Sequence, residues 1–103
     1  MQSRIEKQRM VEYDQVEEFL RNEVAAITGQ PVDSVSPSTV LVGNGRVVDS
    51  ADLVMLLIAA EEFARDSLGA TFDWTSDSAM SEARSVLRSV GSLSKHLSEL
   101  PKS

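Results

Sequence analysis

No cysteine occurs in the chain, and that one absence removes disulfides, thiolate metal sites and a cysteine nucleophile together. Any thiol chemistry here needs a borrowed sulfur. The single histidine, His96, is too few for a metal cluster. On a C-terminal helix it reads as a surface or boundary side chain, which speaks against a Ser-His-Asp hydrolase. Aromatics are scarce, with three Phe, one Tyr and one Trp. Leu, Val, Ile, Ala and Met must therefore fill most of the interior, which favours packed helices over a β-sandwich. No long apolar run is present either: Leu53 to Ala60 is the longest, far short of the roughly 20 residues of a membrane span. No basic segment followed by an apolar one and a cleavage site stands at the N-terminus. The expectation is a soluble, cytoplasmic, monomeric protein with no metal and no membrane partner.

What is present is acidity around one very apolar segment. The 103 residues, 42% of them hydrophobic, suffice for one domain, 1–103, with a modest core. Ten basic residues against sixteen acidic ones give a net charge of −6. Asp49 to Glu82 holds eight of those acids against Arg65 alone, a local net of −7. A field of that sign repels phosphate backbones, which argues against a nucleic-acid partner, and steers basic protein surfaces toward this region.

Along the chain, helical spacing begins early. Ser3 with Glu6, or Asp14 with Glu17, fits a capping box, so residues 1–13 form either a helical or a frayed extension. Val16, Phe19, Leu20, Val24 and Ile27 then share one helical face, with Glu17, Glu18, Arg21 and Asn22 off it, and Gly29 before Pro31 ends the helix. Gln30 to Asp49 has neither period 2 nor period 3.6 and carries Pro31, Pro37, Gly43 and Gly45. A loop this long in a small domain usually serves a function, with Val32, Val35, Val40, Leu41 and Val42 as candidate pins to the core. No Gly-Lys-Ser/Thr follows Gly43-Asn44-Gly45, so the element is no P-loop. It reads as a turn that delivers Asp49 and Ser50 to the surface. A second helix from about Ser50 to Ser67, closed by Gly69, is apolar at nearly every position from Leu53 to Ala60. Ala70 to Thr75 reads as a loop whose Phe72 and Trp74 seal the core, and Thr75 or Ser76 can cap a short helix through Ala79 and Met80. Ser89 can cap the last helix, with Val90, Leu93, Leu97 and Leu100 inward and Pro101 beyond.

The segment Val47-Val48-Asp49-Ser50-Ala51-Asp52-Leu53-Val54 puts a serine in the first turn of that apolar helix, right after an aspartate. Asp and Ser are common helix caps, so the pair by itself says little. A helix start also offers unpaired N–H groups and the positive end of the dipole, so a phosphate ester on such a serine is electrostatically favoured. Asp49, Ser50, Asp52, Val54, Leu56, Ala59, Glu61 and Glu62 match the Asp-Ser-Leu-Asp-x-Val-Glu-Leu-x-x-Ala-Leu-Glu-Glu signature of acyl carrier proteins, with Leu53 at a variable place. Val90-Gly91-Ser92-Leu93 similarly resembles the start of that family's last helix, and the order of elements covers nearly the whole chain.

The resemblance implies an all-α bundle of three longer helices plus one short helix, with a long loop between helices one and two. It implies a carrier without catalytic activity of its own. Ser50 would accept 4'-phosphopantetheine from coenzyme A, Asp49 would help position the phosphopantetheinyl transferase, and Asp52, Met55, Leu56, Glu61 and Glu62 would dock partner enzymes that activate or transfer acyl or aminoacyl groups. Three departures from the pattern matter: Ala51 stands for leucine, Met55 for a glutamate that meets basic partners, and Phe63 comes one residue early. The segment from Ala64 to Ala83 is also longer than in the most compact fatty-acid carriers. A methionine at the docking site makes the contact apolar where the family's is often ionic. Two other readings stand beside this one: an unmodified helical interaction module, in which Ser50 is only a cap, and an aminoacyl or peptidyl carrier loaded by an adenylating enzyme.

Overall fold

Helix α1 runs unbroken over Arg4–Thr28 in the computed structural model, which describes residues 4–74 and 85–100. Asp14 therefore lies inside α1 rather than at its start, and Ser3, the other candidate cap, lies outside the described residues. The face expected from the spacing is the one that packs: Val16, Leu20 and Val24 are fully buried, and Phe19 and Ile27 lie half-buried against them. Gly29 ends the helix in the left-handed region, at φ 73°.

After a 3₁₀ turn at Val32–Ser34, the chain enters α2 at Ser50–Phe63. The helix then widens into a π-helical turn over Ala64–Leu68, stopped by Gly69 at φ 63°. The N–H groups of Gly69 and Ala70 both reach back to the Ala64 carbonyl, which satisfies an acceptor the helix end would otherwise leave open. α3 spans Val90–Ser98. Ser89 caps it as expected: its hydroxyl accepts from the Ser92 N–H at 3.2 Å, while the Ser92 hydroxyl accepts from the Ser89 N–H at 2.9 Å. A serine thus does the work usually given to Glu or Gln in a capping box.

The protein is all-α, with three α-helices and no strand among the described residues. α1 packs against both α2 and α3, and the core between them is built from Val16, Leu20 and Val24, Leu56, Leu57 and Ala60, and Val90, Leu93 and Leu97. Phe72 is buried and Trp74 packs against the same core, as the loop reading of that segment expects. The short helix expected near Thr75 to Met80 lies outside the described residues. No helix among those described is long and apolar enough to cross a membrane.

Candidate functional site

The long loop is strapped to its neighbours at both ends. On the α1 side, the Arg21 Nε–H donates to the Val35 carbonyl at 2.8 Å. On the α3 side, the Leu41 N–H donates to Arg88 O at 3.0 Å, the Val90 N–H to Thr39 O at 3.0 Å and the Gly91 N–H to Pro37 O at 2.7 Å, around an isolated antiparallel bridge between Val40 and Ser89. The Gly43-Asn44-Gly45 turn closes on itself through the Val47 N–H to Val40 O bond at 3.1 Å, and both glycines take positive φ, 99° and 83°. Of the expected pins, Val35 and Leu41 are buried and Val40 and Val42 half-buried. Val32 is instead exposed, because the 3₁₀ turn carries it outward. Val48 is a buried anchor the sequence reading did not pick out, and it stands immediately before Asp49.

Ser50 emerges from this framework as the first residue of α2, with its side chain exposed. Among the described residues nothing hydrogen-bonds its hydroxyl. Asp49 is the N-cap, extended at φ −85° and ψ −177°; its Oδ1 accepts from the Asp52 N–H at 2.8 Å and its backbone carbonyl from the Leu53 N–H at 2.9 Å. The N–H groups of Ser50 and Ala51 have no intrahelical acceptor at such an end. Asp49→Ala is expected to lower stability by about 1 kcal/mol, or roughly 4–8 °C in Tm, while Asp49→Asn keeps most of the cap. Thermal unfolding of the two variants checks this.

The expected docking residues divide between faces. Met55 is 56% exposed, and with Val54 at 44% and Ile58 at 46% it forms an open apolar row with Ala51 at i, i+3, i+4 and i+7. Leu56 is a correction: it is fully buried, because 100° further round the helix from Met55 it joins Leu57, Ala60 and Ala64 on the core-facing side. Asp52 is half-buried on a flank away from the row. Glu61 and Glu62 point apart: Glu61 borders a concavity with Arg65 and Phe72, whereas Glu62 borders a groove with Phe19 and Phe63. Val54 and Ile58 were missed by the sequence reading, although the spacing from Met55 could have supplied them once Met55 was taken as exposed.

Acidity extends beyond α2. Toward the start of α1 the Tyr13 phenol is raised above its ordinary 10.0, first by burial and then by the charges of Glu17 and Asp14. Compared with protein-family models, curated proteins and solved structures, the chain matches none. The functional reading therefore rests on the site.

Proposed function

We propose that this is a carrier protein of the acyl-carrier type, in which Ser50 takes up 4'-phosphopantetheine and α2 meets partner enzymes. The observation that carries the reading is the Ser50 hydroxyl: exposed, without a hydrogen bond among the described residues, and held at a helix start directly after buried Val48 and the capping Asp49. A phosphodiester on its Oγ fits that position, since the open N–H groups of Ser50 and Ala51 and the positive helix end favour an anion. The nearby carboxylate of Asp49 opposes it less than a free one would, because its Oδ1 is engaged with the Asp52 N–H.

In the attachment step the Ser50 hydroxyl loses its proton to a base on the transferase, and Oγ forms the new bond to phosphorus. The phosphoanhydride bond of coenzyme A breaks and adenosine 3',5'-bisphosphate leaves. Asp49 is placed to help position the transferase, with its exposed carboxylate one residue from the attacking oxygen. Once bound, the arm supplies a thiol that holds an acyl or aminoacyl group as a thioester. The chain's own residues present and dock; none of them catalyses. The partners are then the transferase and enzymes that activate or transfer such groups, in the cytoplasm, with the protein as a monomer. A short or polar cargo suits this core, because Phe72, Ala60 and Ala64 are buried in close packing.

Incubation with a broad-specificity phosphopantetheinyl transferase and coenzyme A, read by intact mass, tests the reading. The wild type is expected to gain one phosphopantetheine and Ser50→Ala none. Modification of Ser50→Ala, or none of the wild type, overturns it. The exposed apolar row of α2 equally suits an unmodified interaction module, and an unchanged mass favours that second reading.

A further inference from the structure

Phe19 and Glu23 on α1 and Glu62 and Phe63 on α2 meet across a surface groove of about 280 Å³. The two half-buried rings stack with centroids 4.2 Å apart and planes 19° from parallel. Small Ala59 gives the groove depth, and Asp66 adds a third carboxylate that pairs with Arg65 at 3.3 Å. Glu23 and Glu62 have no ion pair among the described residues.

An aromatic wall beside two uncompensated carboxylates calls for a cation, and its chemistry can be narrowed. Among the described residues no three carboxylates or imidazoles converge closely enough to hold a metal ion. The volume falls just below the roughly 300–1,000 Å³ usual for small-molecule sites, which suits one side chain better than a nucleotide-sized ligand. A lysine ammonium is compact and strongly hydrated. A guanidinium is planar, weakly hydrated, stacks on ring faces and forms paired hydrogen bonds with carboxylates. Location supplies the rest: Ala59 lies one turn beyond Met55, so the groove continues the exposed row of Val54, Met55 and Ile58.

We propose that the α1–α2 groove anchors an arginine side chain of a partner protein seated on the apolar row of α2. The proposal goes beyond the carrier reading, because it requires no modification at Ser50. The charge complementarity sets the approach and the ring stack sets the choice of arginine over lysine.

NMR titration of the unmodified protein with N-acetyl-arginine methylamide, and separately with N-acetyl-lysine methylamide, tests it. The arginine probe is expected to shift the Phe19 and Phe63 ring signals and the Glu23 and Glu62 carboxyl signals saturably, and to bind roughly 5-fold more tightly than the lysine probe. Glu23→Gln and Glu62→Gln, both surface changes, are each expected to weaken it roughly 3-fold or more. Phe63→Leu is expected to abolish the preference for arginine, with the spectrum elsewhere reporting that the fold is kept. Equal affinity for the two probes, shifts centred on Asp14, Glu17 and Glu18 instead, or no saturable response overturns the proposal. Ser50→Ala is expected to titrate like the wild type. A protein that is modified at Ser50 yet shows no arginine preference overturns this inference alone, and one that binds arginine but resists modification overturns only the carrier reading.

Discussion

Leu56→Ala is expected to cost about 2–5 kcal/mol of stability, while Met55→Ala, its immediate neighbour, is expected to stay within about 0.5 kcal/mol. Leu56 has no exposed surface and its removal leaves a cavity bordered by helices that cannot fully collapse; Met55 is more than half exposed, and truncating it opens no void. Against a total stability of about 5–15 kcal/mol for a domain of this size, the first change leaves much of the population unfolded at moderate temperature. Urea unfolding of the two variants reads the difference directly. For a partner docked on α2 as proposed, binding is expected to show the opposite order: Met55→Ala speeds its dissociation, and Leu56→Ala affects it only through the folded fraction. Equal stability losses for the two would mean that α2 is rotated from the orientation described.

That contrast also shows where sequence reading stopped. The register of α1 was legible because Glu17, Glu18 and Asn22 interrupt its apolar spacing, so only one face could be buried. In α2 the run from Leu53 to Ala60 contains no polar residue to mark a solvent side, and periodicity is erased. Which of Met55 and Leu56 faces outward is then decided by packing against α1, a tertiary fact. The stop at Gly69 was legible because it rests on local backbone chemistry, whereas the Asp49-Ser50 pair left open which of the two caps α2, and the structure gives that role to Asp49. The π-helical turn at Ala64–Leu68 was not legible, since no side chain there departs from an ordinary helix. Phe63, one place earlier than the resembling pattern, gains its sense only from Phe19, with which it stacks across the helix interface.

The strap between the long loop and α3 was likewise invisible, because it is made of backbone bonds at single positions, and its tightest point yields the second large expectation. Gly91 lies in α3 with its N–H 2.7 Å from the Pro37 carbonyl oxygen. A Cβ there would lie 3.0 Å from that same oxygen and 3.3 Å from the Pro37 Cβ. In an open helix, replacing glycine by alanine gains about 1 kcal/mol. Here the methyl meets backbone that cannot swing aside as a side-chain tip would, so the gain is expected to be reversed. Gly91→Ala is expected to destabilise by about 1–2 kcal/mol, and Gly91→Val by more, since branching adds contact with the same carbonyl. The damage should also be local. The amides of Leu41 and Val90, which donate across the strap, are expected to lose hydrogen-exchange protection well before those of Leu20 or Leu93 in the core. A Gly91→Ala protein about 1 kcal/mol more stable than wild type, with those amides still protected, would show that the loop yields at Pro37 without loss. On the proposed carrier reading, in which Ser50 is modified, loosening the strap that precedes Val48 is expected to slow transferase modification of Ser50 even in the fully folded Gly91→Ala protein. Leu56→Ala, by contrast, should slow that reaction only as far as it lowers the folded fraction.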